Sequence, residues 1–134
     1  MKAGVIWKES MEFAGFNDKN GELNVVKLDG PTPKHLFLQA IAGCTAMDVV
    51  GILEKMHSEM PSKFEVEVEG DLTEDHPKVF TNFDMTYNIE GNIDPEKLKR
   101  AVKLSQENYC GISTMAKKVA QMSIKIVLNG QSVE

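Results

Sequence analysis

One long apolar stretch, residues 36–53, constrains the fold of this chain of 134 residues more than any other feature. Thr32 can cap a helix ahead of it. Pro33 suits the first helical position, because the N–H that proline lacks would be unpaired there. The apolar run continues to about Met56. The pattern therefore predicts one long helix over this segment.

This helix is better suited to a protein interior than to a bilayer. Gln39, Thr45 and Asp48 interrupt the apolar stretch, which barely reaches spanning length. An Asp near the centre of a bilayer costs about 3 kcal/mol. We therefore expect a helix buried inside a soluble protein or between two subunits. Small residues in it would let another helix approach closely: Ala40, Ala42, Gly43, Cys44 and Ala46.

The composition is that of an ordinary folded domain, with 42% hydrophobic and 26% charged residues. With no repeat and no linker, we expect a single domain over residues 1–134. The chain has 15 basic and 20 acidic residues, a net charge of −5, which disfavours nucleic acid as a partner. Only one of the basic residues, Arg100, is an arginine. Two cysteines exclude a disulfide-rich scaffold. The first residues lack the apolar segment of a signal peptide, so we expect a cytoplasmic protein with no membrane partner.

Alternating and helical patterns predict the element order β-β-β-α-β-β-α-α-β, an α+β fold with mainly antiparallel pairing. Residues 3–7 alternate, Met11 and Phe13 continue that pattern, Asn20-Gly21 predicts a hairpin turn, and residues 23–28 form the returning strand. Residues 64–69 place acidic side chains on a solvated face. The later predicted elements are a strand with apolar odd positions from Val79 to Ile89, a helix from Asp94-Pro95 to about Asn108, a short helix at 113–120, and a strand through Ile124, Ile126 and Leu128.

Cys44 and Cys110 are the candidate reactive residues. Free cysteines are most often small core side chains, and that interpretation stays open for both. Asp48 lies four residues after Cys44, one helical turn along the same face, and a charge on an apolar helix needs a partner or a function. Cys110 precedes a predicted helix start, where backbone N–H groups favour a thiolate.

The sequence predicts no metal site and no cofactor. His35, His57 and His76 have no pairwise ligand spacing and are expected on the surface. There is no CxxC motif and no Cys/His cluster of the zinc type.

Three segments together resemble the OsmC/Ohr family, closest to its YhfA-like branch. They are GPTPKHLFLQAIAGCTAMDVV (residues 30–50), EDHPKVFT (74–81) and LSQENYCGIS (104–113). The resemblance implies antiparallel sheets wrapped around long central helices in an intertwined homodimer, with the site at the subunit interface. It implies thiol peroxidase chemistry with Cys44 as the peroxidatic and Cys110 as the resolving cysteine, a hydroperoxide substrate and a thiol reductant.

Two features depart from the peroxidases of that family. They hold the thiolate with an Arg from the amino-terminal hairpin, and this chain has no Arg before residue 100. They carry a Glu after the proline that starts the helix, and here that position is Lys34. Lys34 is therefore a candidate auxiliary residue together with Asp48, although Lys lacks the bidentate geometry of Arg.

Three functions follow. The first is hydroperoxide reduction in oxidative or osmotic stress defence. The second is another thiol chemistry in the same pocket, such as sulfur transfer. The third is non-enzymatic binding of a small apolar ligand, with both cysteines structural. One fold can carry several functions, so the fold alone does not decide among these three. The reactivity of the two cysteines distinguishes them.

Overall fold

The computed structural model describes residues 1–19, 21, 24–27 and 29–134. It is an α+β structure, as predicted, and forms two compact units, Met1–Phe37 and Leu38–Glu134. The described residues form seven strands, three α-helices and one π-helical segment. The strands are β1 (Ala3–Glu9), β2 (Glu12–Asn17), β3 (Asn24–Val26), β4 (Lys63–Glu69), β5 (Asn82–Glu90), β6 (Gln121–Leu128) and β7 (Gln131–Val133). The helical elements are α1 (Pro33–Lys55), α2 (Pro95–Leu104), the π-helical turn (Ser105–Tyr109) and α3 (Gly111–Lys117).

The first unit contains an antiparallel sheet in the order β1-β2-β3. The prediction that Met11 continues the strand is wrong. Glu9 pairs with Glu12, so Ser10 and Met11 are left to form the turn, and Ser10 adopts a φ of 47°. The Trp7 indole N–H donates to the Ser10 carbonyl (2.7 Å) across that turn. The predicted Asn20-Gly21 turn and the ends of the predicted returning strand lie in part outside the described residues.

The second unit contains a sheet in the order β4-β5-β6-β7. The sequence predicted neither β7 nor the parallel pairing of β5 with β6. The connection between these two strands holds all of α2, the π-helical turn and α3. A helical crossover of this length returns the chain to the same end of the sheet, which makes the pair parallel. The predicted strand from Val79 begins only at Asn82, and Val79 itself is exposed.

The core of the second unit lies between one face of the sheet and two helices. Phe83, Met85, Tyr87 and Ile89 alternate along β5 and are buried, as predicted, while the acidic residues of β4 face solvent. Asp94 caps α2 by accepting from the Glu96 N–H (2.9 Å), which confirms that helix start. The helices contribute Ile41, Val49, Leu53, Leu98, Ala101 and Val102.

Helix α1 is long and apolar enough to cross a membrane by length and composition alone, a test that core helices of soluble proteins also pass. Its Ile41, Val49 and Leu53 are fully buried in the same core as the β5 side chains. This stripe identifies α1 as a core helix, so it is no convincing membrane span. Its opposite face leaves Met47 79% exposed.

Candidate thiol site

The two cysteines lie together in the second unit although 66 positions separate them in the sequence. Cys44 projects from the middle of α1 beside the buried stripe and is half-buried, whereas Cys110 is buried at the start of α3. Asp48 is one helical turn after Cys44. The sulfur atoms of Cys44 and Cys110 and a carboxylate oxygen of Asp48 all lie within 4.8 Å of one another. Three of the four site residues named from the sequence therefore form one cluster.

Lys34, the fourth residue, is exposed in the first turn of α1 and belongs to the first unit. Its auxiliary role stays a prediction. His35 is exposed in the same first turn, where its Nδ1 accepts a hydrogen bond from the Thr32 backbone N–H (3.1 Å). His57 and His76 are exposed. The surface placement expected for the three histidines is confirmed.

A π-helical turn places Cys110 beside Cys44 and Asp48. After Leu104 the helix widens, and the Cys110 N–H donates to the Ser105 carbonyl five residues earlier (2.7 Å). The wider turn ends α2 earlier than the predicted boundary near Asn108. Cys110 then caps α3, since its sulfur accepts from the Ser113 backbone N–H (3.3 Å) and its thiol donates to Ser113 Oγ (3.0 Å). This cap starts α3 at Gly111, two residues before the predicted start.

Buried hydroxyl groups connect Asp48 to the core beneath it. The Ser105 hydroxyl donates to Asp48 Oδ2 (2.9 Å), and Ser105 Oγ lies 2.8 Å from Thr45 Oγ1. Thr45 Oγ1 lies 2.6 Å from the Tyr87 hydroxyl. Each hydroxyl has a single proton, so an ionised Asp48 orders the chain in one direction: Tyr87 donates to Thr45, Thr45 to Ser105, and Ser105 to Asp48.

Gln106 connects this chain to Cys110. Its side-chain nitrogen lies within hydrogen-bonding distance of Thr45 Oγ1 (3.1 Å), the Tyr87 oxygen (3.1 Å) and Ser113 Oγ (3.4 Å). Its Oε1 is buried and has no hydrogen-bond partner among the described residues. Ser113 also accepts from the Cys110 thiol. A continuous polar network thus joins the second thiol to the carboxylate beside the first.

The surroundings of Cys44 favour its protonated thiol over the thiolate. Burial raises the pKa of Cys44 above its ordinary value, while a hydrogen bond from the Ile112 backbone N–H lowers it. The Cys110 thiol and the charge of Asp48 raise it further. Burial likewise raises the pKa of Tyr87, while its hydrogen bonds with Thr45 and Gln106 lower it. Among the described residues Asp48 forms no ion pair, and its carboxylate accepts from Ser105.

A groove of about 440 Å³ opens beside Asp48, between α1 and the residues Leu104 and Tyr109. Its walls are mainly apolar, with Lys55 as the one cation among the lining residues that the structure describes. Tyr109 closes one side and is 65% exposed. The groove is lined by Met47, Asp48, Gly51, Ile52, Lys55, Met56, Leu104 and Tyr109.

The family of this chain follows from comparison of its sequence with known families. The family described as OsmC-like protein matches residues 26–125, which include α1, both thiols and strands β4 and β5. The chain belongs to the OsmC-like family. Protein YhfA of Escherichia coli (strain K12) is 30% identical over 130 residues, which cover 92% of this chain and 94% of that protein.

Solved structures agree with this family at the level of the fold. A hypothetical protein from Aquifex aeolicus VF5 superposes with a TM-score of 0.86 at 26% identity, over 96% of this chain and 95% of that one. The organic hydroperoxide resistance protein OhrB of Bacillus subtilis superposes with a TM-score of 0.66 at 16% identity, over 94% of this chain and 98% of that one. The OsmC-like fold therefore includes hydroperoxide resistance proteins.

Sequence reasoning missed most of the polar network of this OsmC-like site. Thr45 lies on the same buried stripe as Ile41 and Val49, and a hydroxyl on such a stripe signals a buried partner. Ser105 is fully buried, although it lies in a segment of polar residues. Nothing in the sequence indicates that Tyr87 and Gln106 are the partners, because their contacts join elements far apart in the chain.

Proposed function

We propose that this OsmC-like protein reduces organic hydroperoxides with its two thiols, as part of oxidative or osmotic stress defence. One observation carries the proposal: Cys44, Cys110 and Asp48 lie within 4.8 Å of one another. Two thiols at this separation can exchange a sulfenic acid for a disulfide with a small side-chain movement. A pair of cysteines serving only as core filler has no need of an adjacent carboxylate.

The reaction balances with the residues present. Asp48 accepts the proton of the Cys44 thiol as the sulfur attacks the terminal oxygen of the hydroperoxide. The O–O bond breaks, Cys44 becomes a sulfenic acid, and Asp48 returns the proton to the departing alkoxide, which leaves as an alcohol. The Cys110 sulfur then attacks Cys44 and releases water as the disulfide forms. An external dithiol reduces the disulfide and supplies the two electrons.

The groove favours an apolar substrate. A volume of about 440 Å³ beside Asp48 accommodates an alkyl or aryl hydroperoxide, and its mostly apolar lining suits an organic substrate better than hydrogen peroxide. The raised pKa of Cys44 leaves little thiolate at neutral pH. At neutral pH the reaction therefore depends on Asp48 as proton acceptor, and the peroxide rate should rise with pH toward the pKa of that thiol as a second route, through thiolate already formed, is added.

The same proposal includes a homodimer in the cytoplasm. Two observations support the dimer: Met47 is 79% exposed on α1, and the nearby Gly43 has open space where a side chain would project. A second copy covering this face would also narrow the groove. Free thiols suit a reducing compartment.

Titration with peroxide tests the proposal. The fully reduced protein receives one equivalent of cumene hydroperoxide or hydrogen peroxide in the presence of a metal chelator, followed by intact mass and a free-thiol count. We expect loss of both thiols and a Cys44–Cys110 crosslink, faster with the organic peroxide. Cys44→Ser should be inert, whereas Cys110→Ser should stop at a sulfenic acid and then overoxidise on Cys44.

Two thiols still free after long exposure, or full reactivity in Cys44→Ser, would reject peroxidase function. A persulfide on Cys44 after exposure to a sulfur donor would then favour sulfur transfer. A small apolar ligand retained equally by the wild type and by the double cysteine variant would favour ligand binding instead.

A further inference from the structure

We propose that Cys44, Cys110 and Asp48 form a zinc site in the reduced protein, with two thiolates and one carboxylate as ligands. The proposal departs from the sequence prediction of no metal site, which considered histidines and short cysteine motifs. It does not rest on peroxidase activity, because it needs only the reduced thiols. Nothing in the sequence spacing indicates it, since the donors come from α1 and from the residue that precedes α3.

The donor atoms fit zinc in type and in separation. Zn²⁺ takes thiolate sulfur at about 2.3 Å and carboxylate oxygen at about 2.0–2.2 Å, in tetrahedral geometry with donors about 3.5–3.8 Å apart. The three donors here lie within 4.8 Å of one another, so each pair needs to close by about 1.3 Å at most. Three protein ligands leave the fourth position for water, the arrangement of an open zinc site.

Charge also favours a cation here. Two thiolates and the carboxylate carry three negative charges, and among the described residues no ion pair offsets the charge of Asp48. One Zn²⁺ reduces this to a single negative charge. Each thiol proton is released to solvent as its Zn–S bond forms, so binding of one zinc releases two protons.

Each of the three proposed ligand side chains already accepts a hydrogen bond from a neighbouring group. Ser105 donates to Asp48 Oδ2 (2.9 Å), the Ser113 N–H donates to the Cys110 sulfur (3.3 Å), and the Ile112 N–H donates to Cys44. Outer groups of this kind fix ligand direction in metal sites. When Cys110 loses its proton, the Ser113 hydroxyl can turn and donate to the sulfur, so that contact survives metal binding.

Metal binding and disulfide formation exclude each other at this site. A Cys44–Cys110 disulfide has no thiolate left to bind zinc, whereas bound zinc occupies the sulfur lone pairs that attack an oxidant. Zinc should therefore protect the reduced pair, and oxidation should release the metal.

Metal titration of the full chain tests the site. The reduced, metal-free protein is titrated with Co²⁺, whose absorption reports tetrahedral geometry and thiolate ligation, and then with Zn²⁺ against a chelator. We expect one metal per chain and strong thiolate-to-cobalt absorption. Cys44→Ser, Cys110→Ser and Asp48→Ala should each weaken Zn²⁺ binding by more than about 100-fold, beyond the 10–100-fold typical of outer-shell variants. Glu107→Gln, an exposed carboxylate in the π-helical turn, should bind as the wild type does.

The wild type alone supplies a second readout in case a variant misfolds: one equivalent of Zn²⁺ should slow alkylation of both thiols, and the oxidised protein should bind no Co²⁺. Full Zn²⁺ affinity in the double cysteine variant, cobalt spectra without thiolate absorption, or unchanged binding by Asp48→Ala would overturn the site. Peroxide reduction is measured in the presence of a chelator, so its result is independent of whether the protein binds zinc.

Discussion

Asp48 sets the charge around Cys44 and has two opposite effects on it. Its negative charge adds to burial and to Cys110 in raising the pKa of the Cys44 thiol. The same carboxylate is the proton acceptor beside that thiol in the proposed reaction. Thiolate formation and peroxide turnover should therefore respond differently when only the charge is removed.

Asp48→Asn removes the charge and keeps the oxygen that accepts from Ser105. We expect the pKa of Cys44 to fall, so alkylation of the metal-free protein by iodoacetamide should reach half its maximal rate at a lower pH than in the wild type. Peroxide turnover should nevertheless drop by roughly 100-fold, because the proton acceptor is lost. Glu107→Gln serves as the control. An alkylation profile identical to that of the wild type would show that Asp48 does not influence Cys44.

Thr45 joins α1 to β5 and to the π-helical turn through one buried hydroxyl. It contacts the Tyr87 and Ser105 hydroxyls and the Gln106 amide, all in the fully enclosed part of the core. A buried polar group that loses its partner costs about 1–3 kcal/mol. The helix is therefore fixed to the sheet by polar contacts as well as by apolar packing.

Thr45→Val keeps the shape of the side chain and removes the hydroxyl. We expect the free energy of unfolding to fall by about 1–3 kcal/mol, measured by urea denaturation. In Thr45→Val the Tyr87 hydroxyl has lost a hydrogen-bond partner, and adding Tyr87→Phe removes that hydroxyl. The double variant should therefore lose less free energy of unfolding than the sum of the two single variants. Additive losses would indicate that the two hydroxyls do not interact. Thr45→Ser, which keeps the hydroxyl, is the matched control.

The sequence predicted elements better than it predicted contacts between them. Pro33 and Pro95 marked helix starts because proline fits the first helical position for purely local reasons, and the alternation in β5 revealed its buried face. The parallel pairing of β5 with β6 and the strand β7 depend on where the chain returns after a helical crossover. The Cys44–Cys110 approach depends on the same crossover, so the sequence could name both residues but could not measure their separation.

At the scale of the whole molecule, the face of α1 that carries Gly43 and Met47 is exposed to solvent. Gly43 is exposed there, and a Cβ added to it meets no atom within 4 Å. A side chain at this position is therefore tolerated by the single chain. In a dimer that uses this face, the same side chain would lie in the interface.

Gly43→Trp should therefore keep the fold and break the proposed dimer, whereas Gly43→Ala should keep both. Both changes remove a glycine from a helix interior, which stabilises by up to about 1 kcal/mol for alanine. Analytical ultracentrifugation measures the assembly, and far-ultraviolet circular dichroism checks the fold. A wild-type monomer, or a Gly43→Trp variant that dimerises as tightly as the wild type, would place the interface elsewhere or exclude it.

The π-helical turn makes the winding of one short segment as important as the identity of the two thiols. An α-helix advances about 100° per residue, and the turn at Ser105–Tyr109 holds one residue more than an α-helical turn would. If the same residues wound as an ordinary α-helix, Cys110 would lie about 100° further around the helix axis, away from its present place beside Cys44. A substitution that favoured ordinary winding in this turn would thus separate the thiols while every cysteine and every core residue remained.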